Sequence, residues 1–122
     1  MRVLGIDDNA DINALLEAVL TSSGHEYTSV TDGREGVKLI QQNNYDILLL
    51  DLAMPEFSGS DVLVALRKEK LFDKQKIVIL TASSVTDEEI DKILKDGVHT
   101  CIRKPLDIDI LVEKLEQIDA GK

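Results

Sequence analysis

The chain has 122 residues, one cysteine, 43% hydrophobic and 3% aromatic residues, and a formal net charge of −9. That length suits one domain with its own core, Cys101 alone makes no intrachain disulfide, and Met1-Arg2-Val3 runs straight into a strand without a signal peptide, so a single domain over residues 1–122 in the cytoplasm is expected. The acidity argues against a nucleic-acid footprint, which needs clustered Lys and Arg, and the longest fully apolar run, Val62 to Leu66, is far short of the roughly 20 residues of a membrane span.

Val3-Leu4-Gly5-Ile6 reads as a buried strand closed by Asp7 and Asp8. Ile12, Leu15, Leu16, Val19 and Leu20 then fall at i, i+3, i+4, i+7 and i+8, the stripe of a helix lying on a core, and Gly24 is placed to end it. Glu26 to Val30 is a second, more polar strand. Asp32-Gly33-Arg34-Glu35 has capping-box-like spacing and opens a helix carrying Val37, Leu39 and Ile40. Ile47 to Leu50 is a third strand, closed by Asp51. Ser58 to Glu69 predicts a third helix with Val62, Leu63 and Leu66 inward, and Ile77 to Leu80 a fourth strand closed by Thr81. Thr86-Asp87-Glu88-Glu89 reads as a full capping box before a helix with Ile90, Ile93 and Leu94, which Gly97 stops. Thr100-Cys101-Ile102 is the fifth strand, Lys104-Pro105 follow it, and Ile108, Leu111, Val112, Leu115 and Ile118 stripe a last helix.

Strands alternating with amphipathic helices imply right-handed crossovers and a doubly wound α/β fold, a five-stranded parallel sheet covered on both faces. The first, third and fourth strands are nearly all apolar and belong in the middle; the mixed second and fifth belong at the edges. Order 2-1-3-4-5 satisfies this. Its switch point, between the first and third strands, brings Asp7, Asp8 and Asp51 to one crevice beyond the strand ends, with Thr81 and Lys104 on the same rim.

Three acids in one crevice repel one another and call for a cation, and hard oxygen ligands favour Mg²⁺. With that charge neutralised, Asp51 becomes a nucleophile toward phosphorus. Thr81 can donate a hydrogen bond and Lys104 a positive charge to phosphoryl oxygens. Singly, each residue has a plainer reading: Asp7 or Asp8 as a helix cap, Asp51 as a turn acid, Thr81 as a β-branched filler, Lys104 as a solvated charge. Five such groups on one rim make the joint plain reading the weaker one.

Leu4-Gly5-Ile6-Asp7-Asp8-Asn9, Leu50-Asp51-Leu52-Ala53-Met54-Pro55 with Gly59, Leu80-Thr81-Ala82, and Lys104-Pro105 resemble, in order and over the whole chain, the receiver domain of two-component response regulators. The resemblance implies a flavodoxin-like receiver fold and a signalling switch in which Asp51 accepts a phosphoryl group from a sensor histidine kinase or phosphotransfer protein. It further implies that Asp8, Asp51 and the carbonyl of Ala53 ligate Mg²⁺, with Asp7 acting mostly through a metal-bound water. Thr81 would swing toward phosphorylated Asp51, Lys104 would pair with the phosphoryl group, and the bond before Pro105 would be cis. A downstream protein target would read helix four, strand five and helix five. From the charge and the short apolar runs no direct nucleic-acid or membrane contact is expected, and the single receiver domain is expected without an output domain, whether as a chemotaxis-type shuttle, a phosphorelay intermediate or a receiver cut from a longer regulator. On this reading the chain is no enzyme beyond catalysing its own phosphorylation and dephosphorylation.

Departures from the family pattern accompany it. Receivers usually carry an aromatic switch residue three positions before the Lys, where this chain has Cys101. Ala53 and Ser83 occupy the positions two after the acceptor and two after the Thr, and neither offers an acid or amide to hold water. Ala53 also stands where a free-substrate phosphatase of the aspartyl-phosphate type would carry its general acid. A flavodoxin-type nucleotide or flavin binder is a third reading, opposed by the acidic loop Asp7-Asp8-Asn9-Ala10-Asp11; a degenerate receiver used as a scaffold is a fourth. His25 and His99 read as loop residues rather than ligands, and Cys101 as a small apolar residue rather than a nucleophile.

Overall fold

The most apolar segments of the chain lie in the middle of one parallel sheet. In the computed structural model, which describes residues 1–52, 57–82, 84–104 and 107–121, the inner strands are β1 (Arg2–Ile6), β3 (Ile47–Asp51) and β4 (Lys76–Thr81). The edges are β2 (Glu26–Val30) and β5 (Thr100–Arg103). The order is β2-β1-β3-β4-β5, all pairs parallel, as the hydrophobic pattern predicts. Every residue of β3 is buried, whereas those of β5 are all half-buried, which is the difference between a central and an edge strand.

Alternation along the strands divides the interior into two cores. Leu4, Ile6, Leu48, Leu50, Ile77 and Ile79 pack with Ile40 of α2 (Gly33–Gln42) and with Val62 and Leu66 of α3 (Gly59–Lys68). Val3, Ile47, Leu49, Val78 and Leu80 pack with Leu16 and Leu20 of α1 (Ala10–Ser22) and with Leu111, Val112 and Leu115 of α5 (Ile108–Ala120). The remaining α-helix, α4 (Asp87–Lys95), has no buried residue. Among the described residues no helix is long and apolar enough to cross a membrane.

Three local readings shift. The buried face of α1 is Asn13, Leu16 and Leu20, an i, i+3, i+7 set, and Leu15 is 49% exposed; the helix turns a polar residue inward for a reason given below. At α4 the Thr86 hydroxyl accepts from the Glu89 N–H at 3.2 Å, while the reciprocal box is found at α3, where Ser58 and Asp61 cap each other. A short 3₁₀ helix, Phe72–Lys74, precedes β4. Gly24 and Gly97, with φ of +85° and +108°, end α1 and α4 in the left-handed conformation as expected.

Candidate functional site

Parallel strands that end on one edge deliver their last residues to one rim. Asp7 follows β1, Asp51 ends β3, Thr81 ends β4 and Lys104 follows β5. Carboxylate oxygens of Asp7, Asp8 and Asp51 all lie within 4.8 Å of one another. Asp7 and Asp51 are each 3% exposed, and Asp8 is exposed. The Lys104 ammonium lies 3.3 Å from Asp51 Oδ2 and 3.7 Å from Asp7 Oδ2.

None of these acids caps a helix. Asn9 does, its side-chain oxygen accepting from the N–H groups of Asp11 and Ile12 at 3.0 and 3.2 Å. That leaves the acids to the crevice. Asp7 Oδ1 accepts the Asn9 N–H at 2.9 Å, while its buried Oδ2 accepts no hydrogen bond among the described residues. Burial pushes the Asp7 carboxyl up to about 6, the charge of Asp51 adds to this, and the Asn9 N–H and Lys104 oppose it. A buried oxygen that accepts no hydrogen bond, beside two further carboxylates and, among the described residues, no sulfur or imidazole, fits a divalent cation of the Mg²⁺ type.

Thr81 is 1% exposed and its hydroxyl has no hydrogen-bond partner among the described residues. An orphaned buried hydroxyl costs about 1–3 kcal/mol, so β-branched filling is a poor account of a threonine here. Lys104 is tied to the same strand end, its N–H donating to the Thr81 carbonyl at 2.8 Å. The N-terminus of α3 crowds Asp51, since a Cβ on Gly59 would lie 2.5 Å from the Asp51 carbonyl oxygen and 2.6 Å from Leu52 Cα. Glycine at 59 permits that approach. Ala53, Ser83 and Pro105, for which a metal-ligating carbonyl, a water-positioning place and a cis bond are expected, lie outside the described residues.

Two groups of residues here escape a reading of the sequence. Arg103 donates to the Val85 carbonyl and pairs with Asp87 at 2.5 Å, tying the end of β5 to the segment that leads into α4. Asn13 and Tyr27 lie buried beneath the acids. The available signal for Asn13 is a polar residue on the inward face of an amphipathic helix, close after two acids. Cys101 is half-buried, its thiol pushed up by burial, and it borders a surface cleft of about 420 Å³ with Ile90, Arg103, Ile110 and Leu111. His25 contacts Glu116 at 3.0 Å and His99 contacts Thr100 at 2.9 Å, both away from the acids.

Comparison with known proteins agrees with this geometry. The profile of the response regulator receiver domain matches residues 3–116. The cell cycle transcriptional regulator CtrA of Caulobacter vibrioides is 35% identical over 118 residues, which are 97% of this chain and 50% of that protein. The chain thus spans about half the length of the curated transcriptional regulators it matches. The receiver domain of the Francisella response regulator 1452 superposes with a TM-score of 0.87 at 30% identity, covering 98% of this chain and 97% of that one. The response regulator TrrA of Thermotoga maritima, solved in complex with Mg²⁺-BeF, superposes with a TM-score of 0.77 at 30% identity, covering 96% and 97%.

Proposed function

The chain belongs to the response regulator receiver family, signalling switches of two-component systems rather than classical enzymes, and from that premise we propose that Asp51 is its phosphoryl acceptor. The observation that carries the reading is a buried Asp51 carboxylate within 4.8 Å of two further acids and 3.3 Å from the Lys104 ammonium.

In the proposed step an Asp51 oxygen bonds to phosphorus as the P–N bond of a phosphohistidine, on a sensor kinase or phosphotransfer protein, breaks. Asp8, Asp51 and, as the family resemblance implies, the Ala53 carbonyl would hold Mg²⁺, with Asp7 acting mostly through water. Such a cation, when bound, would supply the positive charge that offsets the repulsion between the acids and the phosphoryl oxygens. Lys104, already poised on Asp51, follows the negative charge onto the phosphoryl group. Thr81 gains in that group an acceptor that its hydroxyl lacks among the described residues, which draws the hydroxyl toward Asp51.

Receivers interact with histidine kinases or phosphotransfer proteins. Downstream, the face of α4, β5 and α5 is the proposed reading surface, supported by an α4 without a buried residue and by the Arg103 tie to its N-terminal end. Transcriptional regulators stand among the relatives, so the charge argument against nucleic acid extends to this domain's own surface alone.

Incubation with Mg²⁺ and acetyl phosphate should add one phosphoryl group, located by mass spectrometry on Asp51. Labelling that persists in Asp51→Asn, or that ignores chelators, would refute the assignment.

A further inference from the structure

Asn13 sits on the buried side of α1 beside Leu16 and Leu20, 5% exposed. An amide in such a place costs free energy unless both its ends are bonded. Both are. Its Nδ2 donates to the Asp7 carbonyl oxygen at 2.9 Å, and its Oδ1 accepts from the Tyr27 hydroxyl at 3.4 Å. The carbonyl it grips belongs to the peptide unit joining Asp7 to Asp8. The orientation of that unit sets ψ of Asp7 and φ of Asp8, and with them the aim of both carboxylates.

Tyr27 reaches this point only because of a vacancy in the neighbouring strand. It pairs in register with Val3, yet its hydroxyl extends forward to Gly5, where a Cβ would lie 1.9 Å from it and 2.7 Å from Cζ. Three elements therefore cooperate: β1 omits a side chain, β2 supplies a hydroxyl and α1 supplies an amide, all beneath one peptide. A phenylalanine would fill the same apolar space, so packing alone does not call for the oxygen. Resting on the reading of Asp7, Asp8 and Asp51 as a Mg²⁺ site, we propose that Tyr27 and Asn13 are positioning residues whose buried relay to the Asp7–Asp8 peptide sets the cluster's affinity for the cation.

The donors run one way, from Tyr27 hydroxyl to Asn13 amide to Asp7 carbonyl, so each bond polarises the next. The first link is slack: 3.4 Å exceeds the ~2.8 Å of a well-formed O–H···O bond. A cation that draws the two acids together shifts the peptide they share and changes that link. Outer contacts of this kind typically alter metal affinity by roughly tenfold or more.

The test is a Mg²⁺ titration of the full chain with ¹³Cζ-labelled tyrosine, without phosphodonor. The Tyr27 signal should move in step with binding. Tyr45, buried at the opposite end of the sheet before β3, should stay still as an internal control. Tyr27→Phe, which keeps the ring, should weaken Mg²⁺ roughly tenfold at temperatures well below melting, and Asn13→Leu should weaken it further. A purely structural role would lower the melting temperature and leave affinity alone. Parent-like Mg²⁺ affinity in folded Tyr27→Phe, or a Tyr27 signal indifferent to saturating Mg²⁺, overturns the relay alone. Absence of binding in the parent, or binding untouched by Asp51→Asn, overturns the site reading and the relay with it.

Discussion

Asp7 is held where its charge is unwelcome without a cation. Its carboxyl is raised from 3.8 to about 6, so between these values the folded protein binds a proton that the unfolded chain has released. The sign follows: this contribution to stability is complete below about pH 4 and is lost as pH rises through about 6. Asp7→Asn keeps an oxygen for the Asn9 N–H and removes the charge. Chemical denaturation at pH 7.5 without Mg²⁺ should show it more stable than the parent by about 1–2 kcal/mol, with the gain vanishing toward pH 4. A constant difference across that range would remove the electrostatic explanation. The acids and Thr81 are legible in sequence because they sit at the ends of strongly apolar strands, which are easily located, and Lys104 because it directly follows the shorter, mixed fifth strand. Asn13, Tyr27 and Gly5 are not, since an inward Asn reads as a flaw in a helical stripe and its meaning depends on two residues in other elements.

Among the elements, α4 is the least committed to the core, with no buried residue, and Arg103 fastens its approach through the Val85 carbonyl and Asp87. A helix so placed can shift at little packing cost if Thr81 moves as proposed. Hydrogen exchange over residues 84–95 should change when the protein is loaded with beryllofluoride and Mg²⁺. Thr81→Ala should blunt the change and Cys101→Ala should retain it, because the Cys101 side chain is too small to act as a rotor; loss of the response in Cys101→Ala would assign the switch to residue 101. The end of α3 carries a separate strain. Lys70 has φ of 60° where a helix usually employs glycine, and the turn closes through Leu71 N–H to Leu66 O at 2.7 Å. Lys70→Gly should raise stability by up to about 1 kcal/mol, net of glycine's entropy, with no effect on the site. A lower melting temperature would show that the lysine chain offsets the strain. Helix positions are readable from periodicity and caps; the Phe72–Lys74 turn is too short to have a period, and the reciprocal cap at Ser58 uses Asp61, an acid one carbon shorter than the Glu usually sought.

For the molecule as a whole, strand order is legible because the two mixed strands belong at the edges, and the site follows from that order. A cation that binds only the folded chain stabilises all of it, by about 2.7 kcal/mol at a hundred times its Kd. Mg²⁺ should therefore raise the melting temperature more than Na⁺ of equal ionic strength, which merely screens the net charge of −9. Asp8→Ala should abolish most of that excess and Asp7→Ala less of it, since Asp8 is the direct ligand in the proposed site; equal losses would contradict the division of roles. The interlock beneath the acids also constrains descent. With a Cβ at position 5 only 1.9 Å from the Tyr27 hydroxyl, a lineage can restore a side chain in β1 only after residue 27 has shrunk. The two positions are thus expected to vary together, relatives that carry a larger residue at the first lacking the tyrosine at the second.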